Sequence, residues 1–452
     1  MANTFYVISG IFIIGLLSSI PIINRYASPE KVSKDNSMDE GSFSVLSYNV
    51  AGLPELISQS HPIIFTKEIS PKLNAYDIVN VQENFAYNND LNSKLEFKYK
   101  TPFSGNVPFG DGLMTFSKYP LYMFDRVTWE KKHGFITDGA DEMTPKGFTF
   151  TSLEIKPGYF IDIYNLHTDA ENDEKSIESR NSNMEQISKY IKGISEGKAV
   201  IIFGDTNTLY TKVNDTFYDV LVKSCNLKDA WIENVKGGIY PQKGGDRGTE
   251  LEQTWESIDK ILYRSGKNVE INAISFQTLF TEFTDKNGNQ LSDHYPVNAV
   301  FNYKIIEGIM TSDLFGQANG EGFSFIEKID NKYPLSVTFS VSDNKINRIG
   351  FTYNDNGLVT AGGTGGNETT YEFKNGEYIT EMTISKKRNN LRSLYYISSI
   401  NLKTNLNNEI SGGDLIESEQ NTFKAPDGYG IAGFFGYSKD VIHKLGCIYQ
   451  KI

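Results

Sequence analysis

Short apolar runs bounded by glycine or polar breaks recur from Gly41 to Tyr303: FSVLSYNV, YDIVNVQE, DGLMTFS, FTFTSLEI, YFIDIYNLHT, AVIIFGD and VNAVF. Runs of this length and composition predict buried strands. Between two of them, KSIESRNSNMEQISKYIKGISEG places Ile177, Met184, Ile187, Ile191 and Ile194 close to one stripe, with Gly197 near its end, and so predicts a helix. Other helix-like stretches intersperse the strands, which makes this half mixed α/β. After KIIEGIMTSD the texture changes to short strand patterns and Gly/Asn turns, among them YNDNG, AGGTGGNE and FKNGEYIT, and the second half reads as all-β.

The chain has 452 residues, more than one hydrophobic core usually serves, so the pattern divides into a domain at 41–304 and another at 309–452. Phe5 to Ile23 carries no charge, and residues 1–25 are expected to be a signal peptide or a membrane anchor, followed by a polar linker at 26–40. That segment and the sequons at Asn214 and Asn367 point to the secretory pathway, with the protein secreted or membrane-anchored. The formal net charge is -12 and no Lys/Arg-rich stripe occurs, which disfavours a dedicated nucleic-acid binder. Cys225 and Cys447 match no metal-ligand spacing and form no disulfide framework.

Candidate chemistry stands at the strand ends. FSVLSYNV delivers Asn49, IVNVQE delivers Glu83, IDIYNLHT delivers His167, AVIIFGDTN delivers Asp205 and Asn207, and LSDHYPV delivers Asp293 and His294. The strand in AVIIFGDTN is expected to end at Gly204, with Asp205 and Asn207 projecting the same way. Taken singly, each residue has a plain reading as a turn, a cap or a hydrogen-bonded core group. Together, hard oxygen donors and imidazoles without cysteine suit Mg²⁺ or another divalent cation and phosphoester hydrolysis.

The ordered set SYNV, VQE, LHT, GDTN and SDHYPV resembles the endonuclease/exonuclease/phosphatase superfamily. That resemblance implies a DNase I-like four-layer α/β sandwich and a metal-dependent phosphoric diester hydrolase. It assigns Mg²⁺ to Glu83 with Asn49 nearby and water activation to Asp205. Phosphate or water positioning falls to Asn207, support of the metal and phosphate end to Asp293, and phosphorane stabilisation to His167 and His294. SIDKILY supplies Asp259 to orient His294, and Lys260 stands where the family usually has tyrosine, which predicts a changed substrate wall. TPKGFTFTSLEI, NLHTDAEN and LSDHYPV most resemble neutral sphingomyelinases, placing Lys146 and Gly147 near a lipid phosphate. The substrate expected is a phospholipid or sphingolipid at a membrane, with a secreted DNase I-like nuclease as the alternative.

The segments LSVTFSVSDNKINRIGFTYNDNG, AGGTGGNETTYEFKNGEYITEMTI and GIAGFFGYSKDVIHKLGCIYQK resemble a jacalin-related lectin, a β-prism of three four-stranded sheets that binds mannose- or galactose-type glycans at one end. HKLG aligns His443 with the sugar-ligating aspartate and Lys439 with its partner glycine. Asp440 lies three residues before His443, on the opposite strand face, and GQANGEGF keeps Gly320 and Gly322 without a glycine pair. The second half is thus expected to target the enzyme to a surface. A non-catalytic carbohydrate- or protein-binding protein is the remaining reading, against which the intact Glu83, Asp205, Asn207, Asp293 and His294 argue.

Overall fold

Phe43 and Val45 face one apolar cluster while Leu46 and Tyr48 face another, because their strand, β1 (Glu40–Asn49), is covered on both sides. That double burial is why the sequence shows nearly continuous apolar runs rather than alternation. The computed structural model describes residues 38–452 apart from 57, 59, 134–143, 330–332, 355–356, 390–393, 415 and 417–418. The leader or anchor expected over 1–25 and most of the 26–40 linker lie outside the described residues. Among the described residues no helix is long and apolar enough to cross a membrane.

The first half contributes β1, β2 (Ile78–Gln82), β3 (Tyr99–Lys100), β4 (Met114–Ser117), β5 (Leu121–Thr128), β6 (Gly147–Lys156), β7 (Tyr159–Leu166), β8 (Ala199–Asp205), β9 (Lys228–Asp229), β10 (Asp259–Arg264), β11 (Val269–Thr278) and β12 (Val297–Ile305). Its helices are α1 (Pro62–Lys72), α2 (Asn88–Asn92), α3 (Glu174–Ile194) and α4 (Ala230–Asn234). Two six-stranded sheets result, ordered β11-β12-β1-β2-β4-β3 and β5-β6-β7-β8-β10-β9. Each is antiparallel except for one central parallel pair, β1/β2 and β7/β8. The sheets face each other through Phe43, Val45 and Ile78 on one side and residues such as Ile163 and Ile201 on the other. Ile69 and Leu73, from α1 and the turn after it, cover the outer face of the first sheet. The second is flanked by α3, whose cap Asp173 accepts from the backbone N–H groups of Lys175 and Ser176. Met184, Ile187, Ile191 and Ile194 are buried as expected, while Ile177 is only half-buried.

The second half forms β13 (Ile309–Thr311), β14 (Phe315–Gly316), β15 (Glu321–Ser324), β16 (Ser336–Ser342), β17 (Lys345–Tyr353), β18 (Gly357–Gly362), β19 (Asn367–Glu372), β20 (Ile379–Asn389), β21 (Leu394–Thr404), β22 (Glu409–Gly413), β23 (Gln420–Lys424), β24 (Tyr429–Ser438) and β25 (Ile442–Lys451). One four-stranded sheet runs β18-β17-β16-β19. The other strands form a nine-stranded sheet in which β24 meets β20 only at Ile379 and Ile431. Apart from that link it separates into β22-β21-β20-β23 and the group around β24 and β25, which gives the three-sheet prism expected.

The two halves share one apolar cluster. Asp125 of β5 accepts from Tyr437 of β24 at 2.7 Å and from Tyr190 of α3 at 3.1 Å, and the two tyrosine hydroxyls also bond to each other. Lys444 lies 3.6 Å from Asp125, and the Lys198 ammonium sits 4.1 Å from the Phe435 ring centre. Gly193 of α3 is glycine for a local reason: a Cβ there would lie 2.5 Å from the carbonyl oxygen of Gly322.

Candidate active site

The predicted residues converge because parallel neighbours put their C-terminal ends on the same side, and antiparallel neighbours start there. Asn49 ends β1 and Glu83 follows β2; His167 follows β7 and Asp205 ends β8. Lys146 immediately precedes β6, Asp259 opens β10 directly opposite Asp205, and His294 lies just before β12.

Asn49 is the hub. Its amide nitrogen donates to Glu83 Oε1 at 3.0 Å and to Asp205 Oδ2 at 3.1 Å, and lies 3.4 Å from His294 Nε2. Its amide oxygen accepts from the Ala51 N–H. Asn49 therefore aligns two carboxylates, while its amide oxygen, bonded to the Ala51 N–H, keeps a second lone pair for the expected cation. Glu83 takes a positive φ of 56°. Burial pushes its pKa up, with Asp293 adding and Lys146, Asn49 and His294 opposing.

The strand holding Asp205 does not stop at Gly204. β8 runs through Asp205, and Gly204 is glycine because a Cβ would lie 2.3 Å from the carbonyl oxygen of Leu166 on β7. Asp205 Oδ1 accepts from the Asn207 N–H at 3.1 Å, so the turn reading of this aspartate holds for one of its oxygens. The other, Oδ2, faces Asn49, His167 at 3.4 Å and His294 at 3.7 Å. Burial raises Asp205 to about 6, with Asp259 adding and His294, Lys146 and Asn49 opposing. Asn207, at φ 47°, donates to the Thr168 carbonyl at 3.2 Å.

The two histidines differ in charge. Burial alone would pull His294 down, but Asp259, Asp205 and Asp293 outweigh it and hold the imidazole well above its ordinary range. Its Nδ1 is 2.8 Å from Asp259 Oδ2. His167 is held well below that range, first by burial and then by Lys146 and His294. It is therefore neutral, and Lys146 Nζ donates to its Nε2 at 3.0 Å, so of the two imidazoles expected to stabilise the phosphorane only His294 is cationic. Gly147 supports the site through its backbone: its carbonyl accepts from the His167 N–H at 3.2 Å, and a Cβ would lie 2.0 Å from the Val127 carbonyl oxygen. Asp293 is exposed at the rim, bonded to the Ser292 hydroxyl at 3.3 Å, and acts on Glu83 and His294 by charge.

Lys260 is turned away from the site. It is buried, donates to Glu256 Oε1 at 3.1 Å and to the Ser257 carbonyl, and lies 4.6 Å from the Tyr210 ring centre, so it forms no substrate wall. Several supporting residues escaped the sequence reading. Arg180 pairs with Asp215 at 2.8 Å and donates to the carbonyls of Ala170 and Glu171, fixing the loop after His167. Trp129 Nε1 donates to the His167 carbonyl at 2.7 Å. Asn80 and Asn165 bond across the two sheets to the carbonyls of Tyr164, Phe203 and Val81. A visible signal existed for two of them: Arg180 falls on the apolar stripe of α3, and Asn80 interrupts the run IVNV.

At the prism end, Gly320 at φ 85° packs against the β24–β25 turn, where its Cβ would lie 2.9 Å from Lys439 Cβ. Lys439 and Asp440 are exposed and belong to that turn, so Asp440 is not on a strand face as expected. His443 is buried on β25, with Nε2 2.9 Å from Asn319 Nδ2 and Nδ1 2.8 Å from the Tyr395 carbonyl.

The donor chemistry suits a hard divalent cation: Glu83 and Asp205 share one amide donor, and burial disfavours the charged form of both, a cost that a cation held between them would offset. Asp205, Asp259 and His294 also place ligand atoms within 4.8 Å of one another. The last two already form a hydrogen-bonded pair, and a protonated imidazole does not ligate, which leaves Glu83 with Asp205 as the better holders.

Comparison with known proteins gives the same two-part reading. Residues 50–231 match the Endonuclease/Exonuclease/phosphatase family 2, and residues 312–448 match the Jacalin-like lectin domain. The chain is 35% identical over 272 residues to sphingomyelinases of Mycobacterium tuberculosis and Mycobacterium bovis, covering 58% of this chain and 53% of each relative. It thus spans about half the length of these curated relatives. Among solved structures, a beta toxin from Staphylococcus aureus aligns at 22% identity and TM-score 0.41, over 57% of this chain and 99% of that one. Malaysian banana lectin aligns at 24% identity and TM-score 0.29, over 32% and 100%. The chain carries an endonuclease/exonuclease/phosphatase-type domain related to sphingomyelinases, followed by a jacalin-like lectin domain.

Proposed function

We propose that the first half hydrolyses the phosphodiester of a phospholipid or sphingolipid headgroup, as a secreted or membrane-anchored enzyme that the lectin-like half helps hold at a glycan-bearing surface. The observation that carries this reading is the single cluster of Asn49, Glu83, Lys146, His167, Asp205, Asp259 and His294 at one end of the sandwich. The relationship to sphingomyelinases supports the choice of substrate.

Asp205, held near 6, is mostly deprotonated at neutral pH and suited to take a proton from an attacking water. His294 stays protonated on its Asp259 partner and offers Nε2 to an equatorial phosphate oxygen as charge builds there. Lys146 supplies a second cation, and the neutral His167 holds that ammonium in place. Glu83 and Asp205 would hold Mg²⁺ or another divalent ion, which when bound neutralises phosphate charge.

The test is turnover by the purified chain with Mg²⁺ on sphingomyelin vesicles, inositol phospholipid vesicles and supercoiled plasmid under matched salt. Release of a phosphorylated headgroup that EDTA abolishes and Mg²⁺ restores is expected, with little nicking. Efficient plasmid cleavage without headgroup release would replace this reading with the nuclease one.

A further inference from the structure

Asp259 commits Oδ2 to His294, while its other oxygen, Oδ1, is buried and meets no partner among the described residues. Thr278 Oγ1, on the last residue of β11, is buried and unpartnered in the same way. Both residues line one cavity of about 10 Å³, together with Ser257 and the aromatic side chains of Trp231 and Phe276. Ser257 Oγ accepts from the Asp259 N–H at 3.1 Å, which leaves its own proton to donate. Lys260 also lines the cavity, and its ammonium donates to Glu256 and the Ser257 carbonyl rather than to Asp259.

An unmet carboxylate oxygen and an unmet hydroxyl on one small cavity are costly in a low-dielectric interior. A water needs two to four polar partners and roughly 10–15 Å³ of room for its centre. Asp259 Oδ1, Thr278 Oγ1 and Ser257 Oγ give a water three partners, Asp229 and Lys260 complete the polar lining, and the volume fits one molecule. We propose that the cavity holds one ordered water shared by Asp259, Thr278 and Ser257, which makes Thr278 a positioning residue for the Asp259–His294 pair.

The water donates to Asp259 Oδ1 and accepts from the two hydroxyls. With Oδ1 anchored from behind, the carboxylate cannot rotate away, and Oδ2 stays directed at His294 Nδ1. Thr278 touches neither substrate nor His294 and acts only through this chain of hydrogen bonds.

A crystal structure of the full chain at high resolution is expected to show the water in wild type and in Thr278→Ser, and to lose it in Thr278→Val. Because the kinetic arm rests on the phosphodiesterase reading, it is run on sphingomyelin vesicles: Thr278→Val should lower kcat roughly tenfold with KM nearly unchanged, and Thr278→Ser should restore it. A wild-type cavity without water density, or a folded Thr278→Val with wild-type kcat, overturns the proposal. If wild type turns over no phosphodiester, the functional reading fails while the density still decides the water. If Thr278→Val does not fold, the wild-type and serine structures decide it.

Discussion

The two ends of the molecule that carry candidate chemistry treat their polar groups in opposite ways. At the sandwich end, buried groups are left in tension. Asp205 is raised to about 6, His294 is held protonated by three carboxylates, and Lys146 presses a proton donor against a neutral His167. At the prism end, His443 has a partner at each ring nitrogen, and Lys439 and Asp440 stand in solvent. Displaced titration behaviour clusters where charge is handled, whereas satisfied or solvated groups cost little and do little. The sandwich end has the character of a reaction centre. The prism end keeps its one buried histidine bonded at both ring nitrogens and its charged turn in solvent.

The sharpest way to break this contrast is to remove the tension. Asp205→Asn keeps the shape but loses the base, and should lower kcat by about a hundredfold or more while circular dichroism stays native. Full activity in a folded Asp205→Asn would place the reaction elsewhere. Asp259→Asn removes one of the charges that keep His294 protonated, and should cost roughly tenfold. Its pH profile sharpens the point. Activity needs Asp205 deprotonated and His294 protonated, so the wild-type rate falls on the acid side, below about 6 once a bound cation pulls Asp205 down. The alkaline limb, set by His294, should move to lower pH in Asp259→Asn while the acid limb does not rise. An unmoved alkaline limb would separate His294 from Asp259.

Smaller effects test the border between the halves. Tyr437→Phe removes a hydroxyl that bonds to Asp125 and Tyr190, and should lower unfolding free energy by about 1 kcal/mol, read as a shifted urea midpoint. Midpoints of the two halves that move together would show one cooperative unit; a shift confined to one half would show two. Lys439→Ala should leave hydrolysis of a soluble diester unchanged within about twofold, because that exposed turn shares no partner with the catalytic cluster among the described residues. A large loss there would erase the contrast between the ends.

Most of the clustered candidate residues were legible because each sits where an apolar run stops. The sequence displays where strands end, and parallel neighbours end together. Lys260 was misread although strand alternation carries the answer: with Asp259 turned to His294, the next residue of β10 faces the other way. The Tyr437–Asp125 contact spans 312 positions, and no local pattern announces it. Local pattern therefore divides the chain into two domains, whereas Tyr437 and Lys444 of the lectin-like half reach Tyr190 of α3 and Asp125 of β5. A chain cut near Gly308 would expose Tyr190 and Ile194, so truncation does not isolate targeting from catalysis.

Asn49 lies 245 positions from His294 and 156 from Asp205, yet one amide reaches both of them and Glu83 as well. No shorter segment of the chain contains a working site. Loop closure over such separations comes late and all at once, so catalytic competence appears only after both sheets have docked. An enzyme assembled this way is inert while nascent or partly unfolded. On the proposed reading, headgroup release would report that the two sheets have docked, before any other probe of the sandwich is needed.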